Sequence, residues 1–273
     1  MAKKSSNSGE MSFLEHLEEL RWHIVRSAIA IFVCSIAAFI FNKFIFRELL
    51  EAPMHTEFFT NRIFCRMAEI FNKPDLCINT IPWKLQSIKP TAQFNASIMI
   101  SLYTGFVVAF PFMIRELWLF IAPALYENER KHARGSVLWI SVLFFIGALF
   151  GYYMIVPLTI HFFGSWHVSE TVENIIALEY YVSHISYIPF ATGLIFELPI
   201  LMVFLTKVGL ITPSFLIKYR RHAIIILMVL AAVITPPDVI SMILVTLPLV
   251  LLYEVSIILT KRTARKYQEA MSK

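Results

Sequence analysis

The stretch HAIIILMVLAAVITPPDVISMILVTLPLVLLYEVSIILT, residues 222–260, decides how the chain is laid out. It is apolar over too great a length for one membrane crossing. Thr235-Pro236-Pro237-Asp238 interrupts it, because proline lacks the N–H that a continuing helix needs and its ring clashes with the preceding turn. The stretch therefore reads as two helices, 222–234 and 239–259, joined by a tight hairpin. The first has about a dozen residues, ~20 Å of helix against a hydrocarbon layer of ~30 Å, too short for an unperturbed bilayer. Upstream, further spans are expected at 24–42, 96–114, 136–157 and 185–206, the first of them uncharged from residue 27.

Composition agrees with a membrane chain. Of 273 residues 58% are hydrophobic and 16% charged, whereas soluble domains have about a quarter charged. One soluble core cannot hide that much apolar surface. The sequence predicts an all-α integral membrane protein with six transmembrane helices and both termini on one side. The distribution of charge orients it. Basic residues precede the first span (Lys3, Lys4, Arg21, Arg26), separate the second from the third (Arg115, Arg130, Lys131, Arg134) and the fourth from the fifth (Lys207, Lys218, Arg220, Arg221), and crowd the tail at 260–273. On the other side all seven basic residues lie in the long segment 43–95. By the positive-inside rule the N-terminal segment 1–23 and the tail are cytoplasmic, 43–95 is an external loop, and the formal charge of +5 needs no nucleic-acid partner. The first apolar run follows a charged lead and reaches full span length, so it reads as a span and not as a cleavable signal. Cys34 falls inside the first span. Cys65 and Cys77 share the external loop, where an oxidising compartment would permit a disulfide. Gly147 and Gly151 form a GxxxG pair that favours close helix packing.

Three groups of charged residues need a reason. In Ser12-Phe13-Leu14-Glu15-His16-Leu17-Glu18-Glu19-Leu20-Arg21, Ser12 and Glu15 form a capping box, and apolar residues recur at helical spacing, so an amphipathic helix leads into the first span. Its acidic face reads either as a solvated surface of Glu–Arg pairs or as a docking patch for a basic peptide. Next, the aromatic-rich run from Arg115 to Arg130 predicts a structured loop along the interface, whose carboxylates either join those of the N-terminal helix in receiving arginine forks or are neutralised by Arg130 and Lys131 next door. Last, Glu197 lies near the middle of the fourth span, between Pro189 and Pro199. A carboxylate at that depth costs about 3 kcal/mol to insert and needs a partner, a wet cavity or a proton. Two function classes remain open at this point, a peptide receptor and a proton-coupled small-solute transporter using Glu197. No HExxH, GxSxG or GxxxxGK[ST] is present, so an enzyme is not expected, and neither a metal nor a cofactor is.

Taken in order, His16-Leu17-Glu18-Glu19-Leu20-Arg21, Ala52-Pro53, Phe120-Ile121-Ala122-Pro123-Ala124-Leu125-Tyr126 with Glu129-Arg130, Phe196-Glu197-Leu198-Pro199, Thr235-Pro236-Pro237-Asp238 and Tyr253-Glu254 resemble the TatC family, the polytopic subunit of the twin-arginine protein translocase, over nearly the whole chain. The resemblance implies a bundle whose fifth and sixth helices are short, located in a bacterial cytoplasmic membrane. It also implies binding of twin-arginine signal peptides of folded precursors and, with TatA-like and TatB-like single-span partners in a complex of several copies, transport driven by the proton-motive force. Carried over by position, Glu19 and Glu129 would hold the arginine pair, with Leu20, Arg21, Phe120, Pro123 and Tyr126 shaping the site. Glu197 would line a concave intramembrane face and meet partner helices, and Pro53 and Asp238 would be external structural or assembly positions. The segment from Thr56 to Lys89, with Cys65 and Cys77, is longer than the family leads one to expect, and the resemblance assigns it no role.

Overall fold

The computed structural model describes residues 13–55, 57–70, 72, 77, 84–121, 133–169, 174–235 and 239–271. Helix α1 (Phe13–Ile40) is a single element of 28 residues. The acidic lead and the first span are continuous, since neither glycine nor proline lies between Phe13 and Ile40 to part them. Beyond it the chain tightens through α2 (Asn42–Ile45), a π-helical turn (Phe46–Leu50) and a 3-10 turn (Ala52–Met54). A π turn shifts the hydrogen-bond register and leaves carbonyls without helical partners. Tyr152 and Tyr181 satisfy two of them, donating to the carbonyls of Leu49 and Leu50 at 2.8 and 2.6 Å. Pro53 is buried in the 3-10 turn that follows. The same connection then forms α3 (Phe59–Ile70), which a disulfide from Cys65 joins to Cys77.

Helix α4 (Ala92–Ile121) runs back along α1. Gly105 lets the two approach, because a Cβ there would overlap Ser35. The third crossing consists of α5 (Ala133–Phe150), a π turn (Gly151–Ile155) and α6 (Val156–Ser165); the fourth consists of α7 (Leu178–Phe196) and α8 (Leu198–Lys207). These two crossings pack closely at the GxxxG pair. A Cβ on Gly147 would meet the Phe196 side chain at 2.6 Å, and one on Gly151 would meet Pro189 Cα at 2.9 Å. Short α9 (Pro213–Lys218) is capped by Thr212, whose hydroxyl accepts from the Phe215 N–H at 3.3 Å. Helices α10 (Arg220–Ile234) and α11 (Val239–Met271) pack on each other, and α11 also packs on α8. Two three-residue strands interrupt the helical architecture. β1 (Lys84–Gln86) and β2 (Ile175–Ala177) pair in parallel, Lys84 opposite Ile175, and tie the connection after α1 to the connection after α6.

Five helical stretches among the described residues are long and apolar enough to cross a bilayer: His16–Ile40, Ala92–Ile121, Val137–Ser165, Leu178–Lys207 and Met242–Arg265. Helix α10, with 15 residues, falls short at roughly 22 Å. Two expectations change. The last helix is not short. It runs for 33 residues, roughly 50 Å, through Lys261, Arg262 and Arg265 into what reads from sequence as a tail, because no glycine or proline follows Thr260 to stop it. Nor is the aromatic run that begins at Arg115 a loop as far as Ile121. It is the last two turns of α4, where Trp118 and Phe120 continue the helical spacing of the span.

Candidate functional site

The end of α4 and the start of α1 build one site. Phe120 stacks on His16 with ring centroids 4.5 Å apart and meets His23 edge-on at 6.2 Å. His16 and His23 are two turns apart, so Glu19, three residues beyond one and four before the other, shares their face and points into the α1–α4 seam. Its Oε2 is buried there without a hydrogen-bond partner among the described residues. The Trp118 Nε1 donor is buried and unpartnered as well. Below Glu19 the seam opens into a groove of about 330 Å³ whose lining is almost wholly apolar, with Leu20, Ile24, Ile31, Met113, Leu117 and Phe120 on its walls.

Two other carboxylates at this end are already neutralised. Glu18 pairs with Arg21 at 2.8 Å on the exposed surface, a pair of little energetic weight. Glu116, only 3% exposed, has His23 Nδ1 at 2.8 Å, Arg115 at 3.1 Å and Arg26 at 3.7 Å. The acidic face of α1 thus divides, with Glu18 in a solvated pair and Glu19 turned inward. Sequence reasoning did not single out His23 and Glu116. The available signal was the apolar helical spacing that runs on past Ile114, which puts Glu116 on the α1 side of α4 and not in a loop. Glu129, Pro123 and Tyr126 lie outside the described residues, as do Asp238 and the Ser12 cap.

Glu197 occupies the turn between α7 and α8. Pro199 cannot donate a backbone hydrogen bond, so the helix breaks just before it and restarts, with the Ile200 and Leu201 N–H groups both donating to the Glu197 carbonyl. The side chain is half-buried, and its Oε1 is enclosed without a hydrogen-bond partner. Beside it, Pro199 and Ile200 border an apolar groove of about 460 Å³ that Trp139, Leu143, Leu252 and Val255 complete. Glu254 pairs with Arg220 of α10, not with Lys261 as its position on one helix suggests. Tertiary packing brings the start of α10 alongside α11 and supplies the nearer cation.

Similarity to known proteins follows the same geometry. The family model described as Sec-independent protein translocase protein (TatC) matches residues 15–248. A protein of that description from Blattabacterium sp. subsp. Periplaneta americana is 37% identical over 263 residues, spanning 96% of this chain and 99% of its own. Its counterpart from Aquifex aeolicus is 34% identical over 260 residues, spanning 95% and 98%. A crystal structure of the twin-arginine translocase receptor TatC in DDM superposes with a TM-score of 0.70 at 34% identity, covering 90% of this chain and 99% of that one.

Proposed function

The chain belongs to the TatC family of Sec-independent protein translocase proteins, and from that premise we propose that it is the receptor for twin-arginine signal peptides of folded precursors, with Glu19 as the anchor of the arginine site. The observation that carries this reading is the buried, unpartnered carboxylate oxygen of Glu19 above an apolar groove. A guanidinium is planar and offers paired N–H donors, so it satisfies such a carboxylate with two parallel hydrogen bonds where an ammonium makes one. Glu116 does not compete for the peptide, since His23, Arg26 and Arg115 already surround it. The second arginine falls to Glu129. It lies eight positions beyond Ile121, the end of α4, a length of chain that reaches at most roughly 27 Å. Leu20 and Phe120 form walls of the groove, Arg21 contributes from the exposed surface beside Glu18, and in this reading Pro123 and Tyr126 belong to the same site. The groove below takes the apolar part of the signal peptide.

In this reading the chain binds and does not catalyse. It works in a bacterial cytoplasmic membrane with both termini in the cytoplasm and α10 as a sixth, short crossing. TatA-type and TatB-type single-span proteins assemble on it in several copies, and the proton-motive force drives export. Glu197, with one oxygen enclosed and unsatisfied, is the intramembrane contact for a polar group on a partner helix. Pro53, buried in the turn after α1, and Asp238 are external structural or assembly positions. The test is binding of a twin-arginine peptide to the full chain in lipid. Glu19→Ala should weaken it about ten- to a hundredfold, the loss of one or two charge-assisted bonds worth about 1.5–3 kcal/mol, and Glu19→Gln should behave similarly. A twin-lysine peptide that binds as tightly as twin-arginine would sink the assignment.

A further inference from the structure

Helix α3 lies outside every spanning stretch, yet it presents the kind of surface that the spans do. Phe59, Ile63, Met67 and Ile70 are 64, 40, 40 and 77% exposed. At ~100° per residue they fall within an arc of roughly 80° on one side of the helix. Thr60, Asn61 and Ala68 are buried on the protein side, and the exposed Arg62, Arg66 and Glu69 take the remaining arc. The apolar side is therefore wider than the surface the protein covers, and a polar edge borders what is left.

The orientation of α3 is fixed. The π turn at Gly151–Ile155 leaves carbonyls without helical partners, and the Thr60 hydroxyl donates to that of Tyr153. Phe58 stacks on the Tyr153 ring at 5.4 Å and Phe59 meets it edge-on at 6.1 Å. Asn61 Nδ2 donates to the His55 carbonyl at 3.0 Å. Tyr153 is itself 40% exposed, and Leu149, one turn back along the same crossing, is 54% exposed. Both belong to a stretch long and apolar enough to cross the bilayer, so the stripe on α3 continues the exposed apolar surface of the third crossing.

From this continuity we infer that α3 is an interfacial helix. It lies at the boundary of headgroups and acyl chains in the leaflet opposite Glu19, with Phe59, Ile63, Met67 and Ile70 in lipid and Arg62 and Arg66 on phospholipid phosphates. An apolar arc beside a basic edge is the pattern of a helix lying in the membrane plane. Phospholipid already surrounds the third crossing, and its phosphates complement both arginines. The Cys65–Cys77 disulfide closes the segment that follows onto the middle of this helix and holds it against unravelling. The segment that the family resemblance left without a role becomes a lipid anchor, and this assignment does not depend on the arginine site.

The experiment is photo-crosslinking of the full chain in vesicles of phosphatidylethanolamine and phosphatidylglycerol. Benzoylphenylalanine replaces Ile63, Met67 or, as the polar-edge control, Glu69, all of them partly or fully exposed positions that leave the buried face intact. Phospholipid adducts should form at 63 and 67 and be lost at 69. Adducts only to a second copy or to another protein, or no adduct at 63 above that at 69, would overturn the proposal. Arg62→Glu with Arg66→Glu should cut the lipid-adduct yield at 63 severalfold, and an unchanged yield would remove the phosphate contacts from it.

Discussion

At the scale of single residues, the site is decided by which carboxylate lacks a partner. Among the described side chains where α1 meets the end of α4, Glu18 and Glu116 are paired and Glu19 keeps a buried, unsatisfied oxygen. Glu116 plays the opposite part, holding the His23 ring and two arginines together in a seam it hardly leaves. Replacing it by glutamine removes the charge and keeps the shape. Arg26 and Arg115 are then uncompensated beside the groove, and peptide binding should weaken severalfold at low salt and recover as salt screens the repulsion. Titrations of Glu116→Gln at two ionic strengths check this, and a loss indifferent to salt would point to damaged packing. The sequence made Glu19 legible through the acidic face of the N-terminal helix and the family motif but hid Glu116, because a carboxylate one residue from an arginine reads as locally neutralised. Its actual partners include His23 and Arg26, 93 and 90 residues away along the chain.

Elements show where local pattern and packing diverge. Helix α10 came out of the sequence correctly as short, because the prolines after Thr235 and the cluster of Arg220 and Arg221 bound it on both sides. As the sixth crossing proposed above, a helix of roughly 22 Å in a core of ~30 Å would draw the bilayer thinner around it. Adding about one turn of leucine and alanine in its middle, four residues, should remove that thinning and with it export, while twin-arginine peptide binding at the distant α1–α4 seam stays as it was. Vesicle transport measured beside peptide binding separates the two, and full export by the lengthened protein would refute a role for thinning. Helix α11 ran against expectation, since a run of lysine and arginine that reads as a tail is also a good helix once packing has nucleated it.

Across the whole molecule, the two proposed roles lie toward the two ends of α1. From Glu19 to the end of α1 at Ile40 is roughly 31 Å of helix, with the proposed peptide site at one end and the disulfide-closed α3 beyond the other. Cys65→Ser with Cys77→Ser releases a loop constraint over a separation of 12 residues, worth about 3 kcal/mol in loop entropy. Amide exchange in α3 should rise sharply, and affinity for a twin-arginine peptide should not move. A fall in that affinity would mean that the two ends are coupled. Hydropathy by itself determined that the chain carries several helices long and apolar enough to cross a membrane, because burial in lipid acts on each segment separately and needs no knowledge of its neighbours, and the ordered motifs carried the family. Only the tertiary structure decided that Glu19 faces inward while Glu18 faces water, that Glu116 and Glu254 are neutralised from other helices, and that α3 lies against the third crossing. Each of these depends on which distant residue arrives within about 4 Å, and that is a property of packing that no local pattern encodes.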